Sequence, residues 1–142
     1  METRRILAIG MAVIGVGTSA LAQVASVKQL MLDFIQPASN DLLLSINRGG
    51  PKDDADWASI RRSALALAES ADLLAIPGRA RDQGDWMKNA KMLADAGSAA
   101  YKAAQAKDAS ALAAVADSID ASCTACHKKY RPDVFPVQRG SQ

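Results

Sequence analysis

Five consecutive residues near the C terminus have the types and the spacing for haem attachment: Cys123-Thr124-Ala125-Cys126-His127. They form the C-x-x-C-H pattern of c-type haem sites. On a helical turn, the two-residue spacer sets the thiols at the separation of the two porphyrin vinyl groups, and the next residue can bind iron through an imidazole nitrogen. His127 is the only histidine in the chain, and Cys123 and Cys126 are its only cysteines. The pattern predicts one covalent haem c, with two thioether links and His127 as an axial ligand.

Two other uses of this cysteine pair stay open as alternatives. A disulfide is one, although a C-x-x-C bridge closes a very small loop and constrains little of the unfolded chain. A zinc site is the other, but two cysteines and one histidine fall short of four ligands unless a carboxylate or a second chain completes the set. Thioredoxin-like chemistry would require a βαβ context, and the sequence shows no strand pattern.

The rest of the chain must position this motif, and its pattern predicts four helices. It is rich in alanine, and helix breakers fall at regular intervals. The first predicted helix covers about residues 24–46, with a kink at Pro37, and the second follows Asp53 or Asp54 as N-cap and stops at Pro77-Gly78. The third starts near residues 82–85 and ends before Lys107, and the fourth covers about residues 109–130 with Asp108 as N-cap. Apolar residues at helical spacing predict the buried face of each helix: Val24, Val27, Met31 and Phe34; Trp57, Ile60, Ala64, Leu67, Ala71 and Leu74; Trp86, Ala90, Leu93, Gly97, Ala100 and Ala104; Leu112, Val115, Ile119, Cys123 and Cys126.

Short loops between these helices predict an all-α fold, an antiparallel up-down-up-down four-helix bundle. In that topology the haem motif shares one end of the bundle with the start of the first helix, the end of the second and the start of the third. Residues 27–34, 73–76 and 86–90 are therefore expected to line the haem pocket. Arg79 and Arg81 fall in the loop at this end. A solvated face is their simplest interpretation, with a propionate contact or a docking role as the alternative.

The second axial ligand is predicted to be a methionine. Met31 lies about one and a half turns into the first helix and His127 about one turn from the end of the fourth, so at ~1.5 Å rise per residue their levels nearly coincide. Met87 starts the third helix at the same end but flanks its apolar face, and Met92 lies deeper. A helical methionine is also ordinary core filler. Met31 is thus the predicted ligand, with Met87, a lysine, or no ligand at all, as alternatives.

The N-terminal segment predicts export. Residues 1–5 contain two adjacent arginines, residues 6–16 are apolar and uncharged, and residues 20–22 form an A-x-A cleavage site. The apolar run is shorter than the roughly 20 residues of a membrane span. These features predict a cleaved signal peptide at 1–22, one periplasmic domain at 23–142, and no stable membrane anchor. The chain has 17 basic and 15 acidic residues, and this balance argues against nucleic-acid binding.

With these features, the chain resembles the class II c-type cytochromes of the cytochrome c′ type. The motif lies near the C terminus and continues as H-K-K-Y-R over residues 127–131, which is similar to the family's C-x-x-C-H-x-x-(Phe/Tyr)-Arg. The spacing of Val24, Val27 and Met31 is similar to that of family members with a distal methionine. In architecture the resemblance covers the whole mature chain, but in motif it covers only the C-terminal segment and, loosely, the first helix.

The resemblance implies roles for individual residues. Cys123 and Cys126 would form the thioether links, and His127 and Met31 would be the proximal and distal ligands. Arg131 would lie beside the proximal pocket and modulate the field at the iron. One position departs from the family, because related chains often have an arginine one turn before the distal residue, where this chain has valine. The partner of the haem propionates is therefore left open.

The function predicted on these grounds is electron transfer by a periplasmic monohaem cytochrome, with redox proteins of the periplasm or inner membrane as partners. A five-coordinate haem protein that binds a gas such as NO is the alternative, and a haem-free bundle with a structural or interaction role is a distant third. No acid–base pair or second histidine is visible, so no enzymatic activity is predicted. Family members often dimerise through their first two helices, and the Gly- and Ala-rich faces of this chain permit a homodimer.

Overall fold

The computed structural model describes residues 24–134, and within that range every regular element is helical, which confirms the all-α prediction. Its elements are α1 (Val27–Leu30), a π-helical turn (Met31–Ile35), α2 (Gln36–Asn47), α3 (Asp54–Ala75), α4 (Asp85–Ala106), α5 (Ala109–Ala114) and α6 (Ala116–Tyr130). The first three are continuous and form a single rod, called the first rod below. The predicted signal peptide, 1–22, lies outside the described residues.

Short polar residues begin the helices, as the sequence predicts. Asp53 and Asp108 each accept a hydrogen bond from the backbone N–H three residues later, at 2.8 and 2.9 Å. After the C-terminal end of the first rod, Gly49 and Gly50 both have positive φ angles, of 87° and 82°. The N–H of Gly50 reaches back to the carbonyl of Ser45 at 2.9 Å, which closes the helix end in a Schellman motif.

The π turn of the first rod comes directly before a proline. The N–H of Gln36 donates to the carbonyl of Met31, five residues earlier. Pro37, at the second position of α2, has no N–H to offer the carbonyl of Asp33, and in a regular α-helix its ring would clash with that carbonyl. The wider turn accommodates the ring. The kink predicted at Pro37 thus takes the form of a π turn, and the rod continues through α2.

The predicted face of the first rod was wrong at two positions, for different reasons. Val24 is 99% exposed because the helix begins at Val27 and not near residue 24, as predicted. Phe34 is 50% exposed because the π turn moves the buried face, while Val27 and Met31 are half-buried. The residues that are buried in this rod are Leu30, Ile35, Ala38, Ser39 and Leu42. Leu30 and Ile35 are five positions apart, because a π turn adds one residue to the spacing between neighbours on one helix face.

The predicted faces of α3 and α4 are confirmed, and these two helices form the most extensive contact in the described chain. Their predicted residues are buried, except for the half-buried Trp57. The backbones approach closely at Gly97, where an added Cβ would lie 2.6 Å from the backbone nitrogen of Ala68. Small residues therefore set the distance between α3 and α4.

In the remaining contacts, α4 packs against α6 and α2 packs against α3. A less extensive contact joins α2 and α6. An ion pair of 2.6 Å between Lys107 Nζ and Asp54 Oδ1 joins the end of α4 to the start of α3. Among residues 24–134, no helix is long and apolar enough to cross a membrane.

Candidate functional site

The residues predicted to attach haem lie in the C-terminal half of α6. The face that carries Leu112, Val115 and Ile119 into the core continues at Ser122, which is 2% exposed and donates its hydroxyl proton to the carbonyl of Ile119 at 2.8 Å. Cys123 follows as a half-buried residue packed against the core. Sequence analysis assigned this part of the buried face to the cysteines and missed the serine, although its position fits the same helical spacing.

The two cysteines are free thiols, and they lie one helical turn apart on α6. Both are half-buried. Burial is the main cause that raises the pKa of Cys123 and of Cys126 above the ordinary thiol value. The thiols therefore stay protonated at neutral pH, a state that reacts slowly in disulfide exchange and binds metal ions poorly.

His127 directly follows the second thiol and is half-buried near the end of α6. Burial lowers the pKa of its imidazole, and the positive charge of Arg131 lowers it further, while Asp133 acts in the opposite direction. Burial and the Arg131 charge therefore favour the neutral form of the ring. A neutral imidazole has the lone pair that a metal ion requires.

The end of α6 is held to the start of α4 by a polar and aromatic cluster. Tyr130 donates a short hydrogen bond to the carboxylate of Asp82, and its ring meets the ring of Trp86 edge-on, with centroids 5.0 Å apart. Lys129 Nζ lies 2.8 Å from Asp85 Oδ2. The hydrogen bond from Tyr130 is the main cause that lowers the pKa of Asp82. These contacts fix the turn that follows His127.

Arg131, which the family resemblance places beside the proximal pocket, is an exposed residue at the C-cap of α6. Its guanidinium forms a two-pronged pair with Asp133, with Nε 3.0 Å from Oδ1 and Nη2 2.9 Å from Oδ2. Its charge acts on His127, as described above. Its predicted role toward a haem stays a prediction.

The three candidate methionines lie in different surroundings. Met31 is half-buried against the core and is the first residue of the π turn. Met87 lines a surface groove of about 620 Å³ between the end of α3 and α4. Met92 lines a second groove, of about 430 Å³, between α4 and α6. Neither of these two grooves is lined by Cys123, Cys126 or His127.

Arg79 corrects the interpretation of the loop arginines as solvated. It is 9% exposed, whereas Arg81, two residues later, is exposed. The Arg79 guanidinium donates from Nε and Nη2 to the carbonyl of Ala25, at 3.3 and 3.0 Å, and from Nη1 to the carbonyl of Leu73, at 3.3 Å. It thereby ties the segment before α1 to the last turn of α3. The sequence position of Arg79 gave no signal of this burial.

A second side chain, Trp86, also binds a backbone carbonyl in the last turn of α3. Trp86 is buried, and its indole N–H donates to the carbonyl of Leu74 at 2.7 Å. The start of the first rod, the end of α3, the start of α4 and the end of α6 are thus linked through Arg79, Trp86 and Tyr130. These are the four segments that sequence analysis expected at one end of the fold.

Comparisons with protein-family models, curated proteins and solved structures give no match. The donor set is therefore the basis for assigning the site. Two free thiols one turn apart can form thioethers with two vinyl groups, and the neutral imidazole after them can bind iron, so the residues fit haem c. Among the described residues, no group of three or more His, Cys, Asp and Glu side chains is arranged to hold a metal ion.

Proposed function

We propose that the protein is an exported c-type cytochrome that carries electrons, with one haem c linked to Cys123 and Cys126. The observation that supports this most directly is the placement of both thiols and His127 within five residues of one helix, α6. The thiols are unpaired and half-buried, so they remain available for thioether formation. When bound, the haem supplies reversible one-electron chemistry at its iron.

The chain's own residues would serve that chemistry by holding and shielding the group. The neutral ring of His127 provides the proximal nitrogen, and the cluster of Tyr130, Asp82 and Trp86 fixes the helix end on which that ring lies. Fixed ligands suit electron transfer because little has to move between the two oxidation states. These contacts would hold the proximal side of the proposed site in place.

The architecture supports the same proposal. The contact pattern, with α2 against α3, α3 against α4 and α4 against α6, is the one expected for an up-down-up-down bundle. The contact between α2 and α6 involves the fewest residues of these four helix pairs. The interface between the first rod and α6 is therefore the least extensive of them. We place the porphyrin in this interface, where Met31 of the first rod would be the distal ligand.

The visible spectrum of purified holoprotein tests this proposal. We expect a low-spin spectrum, ferric and ferrous, with a weak far-red sulfur–iron band. Met31→Ala should lose that band, whereas Met87→Ala, the matched control, should keep it. A thioether ligand also raises the reduction potential relative to a second imidazole, so Met31→Ala should change the potential and Met87→Ala should not.

Two results would contradict the proposal in different ways. A high-spin spectrum that Met31→Ala leaves unchanged, with ready binding of NO, would make the protein a five-coordinate gas-binding cytochrome c′-like protein. A colourless protein whose mass shows no added haem after export in a cell that matures c-type cytochromes would exclude both functions. Cys126→Ala is the covalent control, because it should leave at most one thioether link.

A further inference from the structure

Arg79 is the only charged side chain that is buried within residues 24–134. All of its hydrogen bonds there go to two backbone carbonyls, those of Ala25 and Leu73. None of the ion pairs in the described part of the chain includes it. Removing a charge from water is expensive unless an opposite charge compensates it, and carbonyl dipoles compensate only in part. Within residues 24–134, the buried charge of Arg79 is therefore compensated only in part.

The guanidinium also retains the donors that an anion would use. An arginine has five N–H groups, one on Nε and two on each Nη. Three of them bond to the two carbonyls, one from each nitrogen. One N–H therefore remains on Nη1 and one on Nη2. Two neighbouring N–H groups of this kind match the two oxygens of a carboxylate, which they bind in a two-pronged pair.

Arg79 lies at the same end of the fold as the thiols and His127. Leu73, whose carbonyl it binds, precedes Leu74, whose carbonyl receives the Trp86 indole N–H. The ring of Trp86 in turn meets Tyr130, three residues beyond His127. Of the acidic residues at this end, Asp82 binds Tyr130 and Asp85 binds Lys129. Asp72, next to Leu73, is exposed and forms no ion pair with Arg79. Among residues 24–134, no carboxylate is paired with Arg79.

We propose that Arg79 binds a propionate carboxylate of the haem attached at Cys123 and Cys126, through the free N–H groups of Nη1 and Nη2. This inference rests on the proposed function, because it requires the haem. It assigns the propionate partner to a loop arginine anchored on Ala25, two residues before Val27. The same contact would join the first rod, α3 and the prosthetic group through one side chain.

The test uses holoprotein in four forms: wild type, Arg79→Gln, Arg79→Lys and Arg81→Gln. Arg81 is the matched control because it is an exposed arginine of the same loop. Two properties are measured, the resonance Raman propionate bending band and the reduction potential. A positive charge beside the haem favours the reduced iron, so Arg79→Gln should shift the band and lower the potential. Arg79→Lys should shift the band and keep the potential close to wild type, and Arg81→Gln should change neither property.

Several outcomes separate this inference from the proposed function. If Arg79→Gln binds haem normally and neither property moves, or if Arg81→Gln gives the same shifts, the inference is wrong and the electron carrier stands. A purely structural arginine would lower the free energy of unfolding without moving the band. If Arg79→Gln does not fold, Arg79→Lys decides, and an unshifted band there overturns the inference. A wild-type protein without haem removes both proposals.

Discussion

The α3–α4 interface and the region around the C-terminal half of α6 differ in how completely they are closed. Between α3 and α4, small residues allow the backbones to meet at Gly97 and Ala68, and the predicted inward residues are almost all buried. On α6, Cys123, Cys126 and His127 are only half-buried, and the contact with α2 is short. The closely packed α3–α4 pair supplies a stable frame. The side chains of the C-x-x-C-H motif on α6 stay partly exposed beside it.

The first rod gives the largest predicted effect, because its π turn decides which of two neighbouring side chains is buried. Ile35 is 4% exposed, while its neighbour Phe34 is 50% exposed. We expect Ile35→Ala to lower the free energy of unfolding by about 2–5 kcal/mol, because it leaves a cavity in the core. Phe34→Ala should cost less than about 1 kcal/mol, since that side chain keeps much of its contact with water. Urea unfolding of both variants measures the difference.

The opposite order of these two variants would show that the first rod is a regular α-helix in solution. In that case the face that contains Val27, Leu30, Met31 and Phe34 would be the buried one, and Ile35 would turn outward. The π turn would then not exist under the conditions of the measurement. Equal costs would mean that the rod is not packed on the core in a single register.

The closely packed α3–α4 pair gives a second prediction, of intermediate size. A Cβ at position 97 would lie 2.6 Å from the backbone nitrogen of Ala68, and a backbone atom cannot move aside cheaply. Gly97→Ala should therefore lower the free energy of unfolding by about 1–3 kcal/mol through overpacking, despite its better helix propensity. Ser98→Ala, at an exposed position of the same helix, is the control and should be neutral or slightly stabilising. A stabilised Gly97→Ala would mean that α3 and α4 are not in close contact.

The same contrast explains which parts of the fold were predictable. In α3 and α4, regular helices carry apolar residues every three or four positions, so the pattern alone gives the buried face. In the first rod the pattern gave the wrong face, because the π turn separates Leu30 from Ile35 by five positions. Pro37 marked the place of the irregularity in the sequence. It could not indicate whether the helix would bend, break or widen there, since packing against α3 decides among these.

The candidate site also contains a part that could be predicted from the sequence and a part that could not. The C-x-x-C-H motif is local, so five consecutive residues were enough to predict a haem site there, and the helical pattern around them was enough to place the motif on a helix. The burial of Arg79 is not local, because its partner carbonyl belongs to Ala25, 54 positions earlier in the chain. The bond between Tyr130 and Asp82 likewise spans 48 positions. Such contacts depend on which loops and helix ends meet, and a single sequence has no period that encodes them.

The Tyr130–Asp82 bond gives the smallest predicted effect, and it concerns the end of α6 directly. Hydrogen bonding from Tyr130 is the main cause that lowers the pKa of Asp82 below its ordinary value of 3.8. A carboxylate with a lowered pKa in the folded state stabilises the fold above its unfolded pKa, and this contribution is lost as the pH falls through the lowered value. Tyr130→Phe should therefore lose less stability than wild type between neutral pH and about pH 3. Urea unfolding at several pH values measures this.

Tyr101→Phe is the control for that measurement, since Tyr101 is a half-buried tyrosine of α4 that lies outside the cluster around Asp82. Its acid sensitivity should match that of wild type. If Tyr130→Phe also matched wild type, the hydrogen bond would not hold the end of α6 in solution. The helix turn that carries His127 would then be held by the ring contact with Trp86 and the exposed ion pair between Lys129 and Asp85.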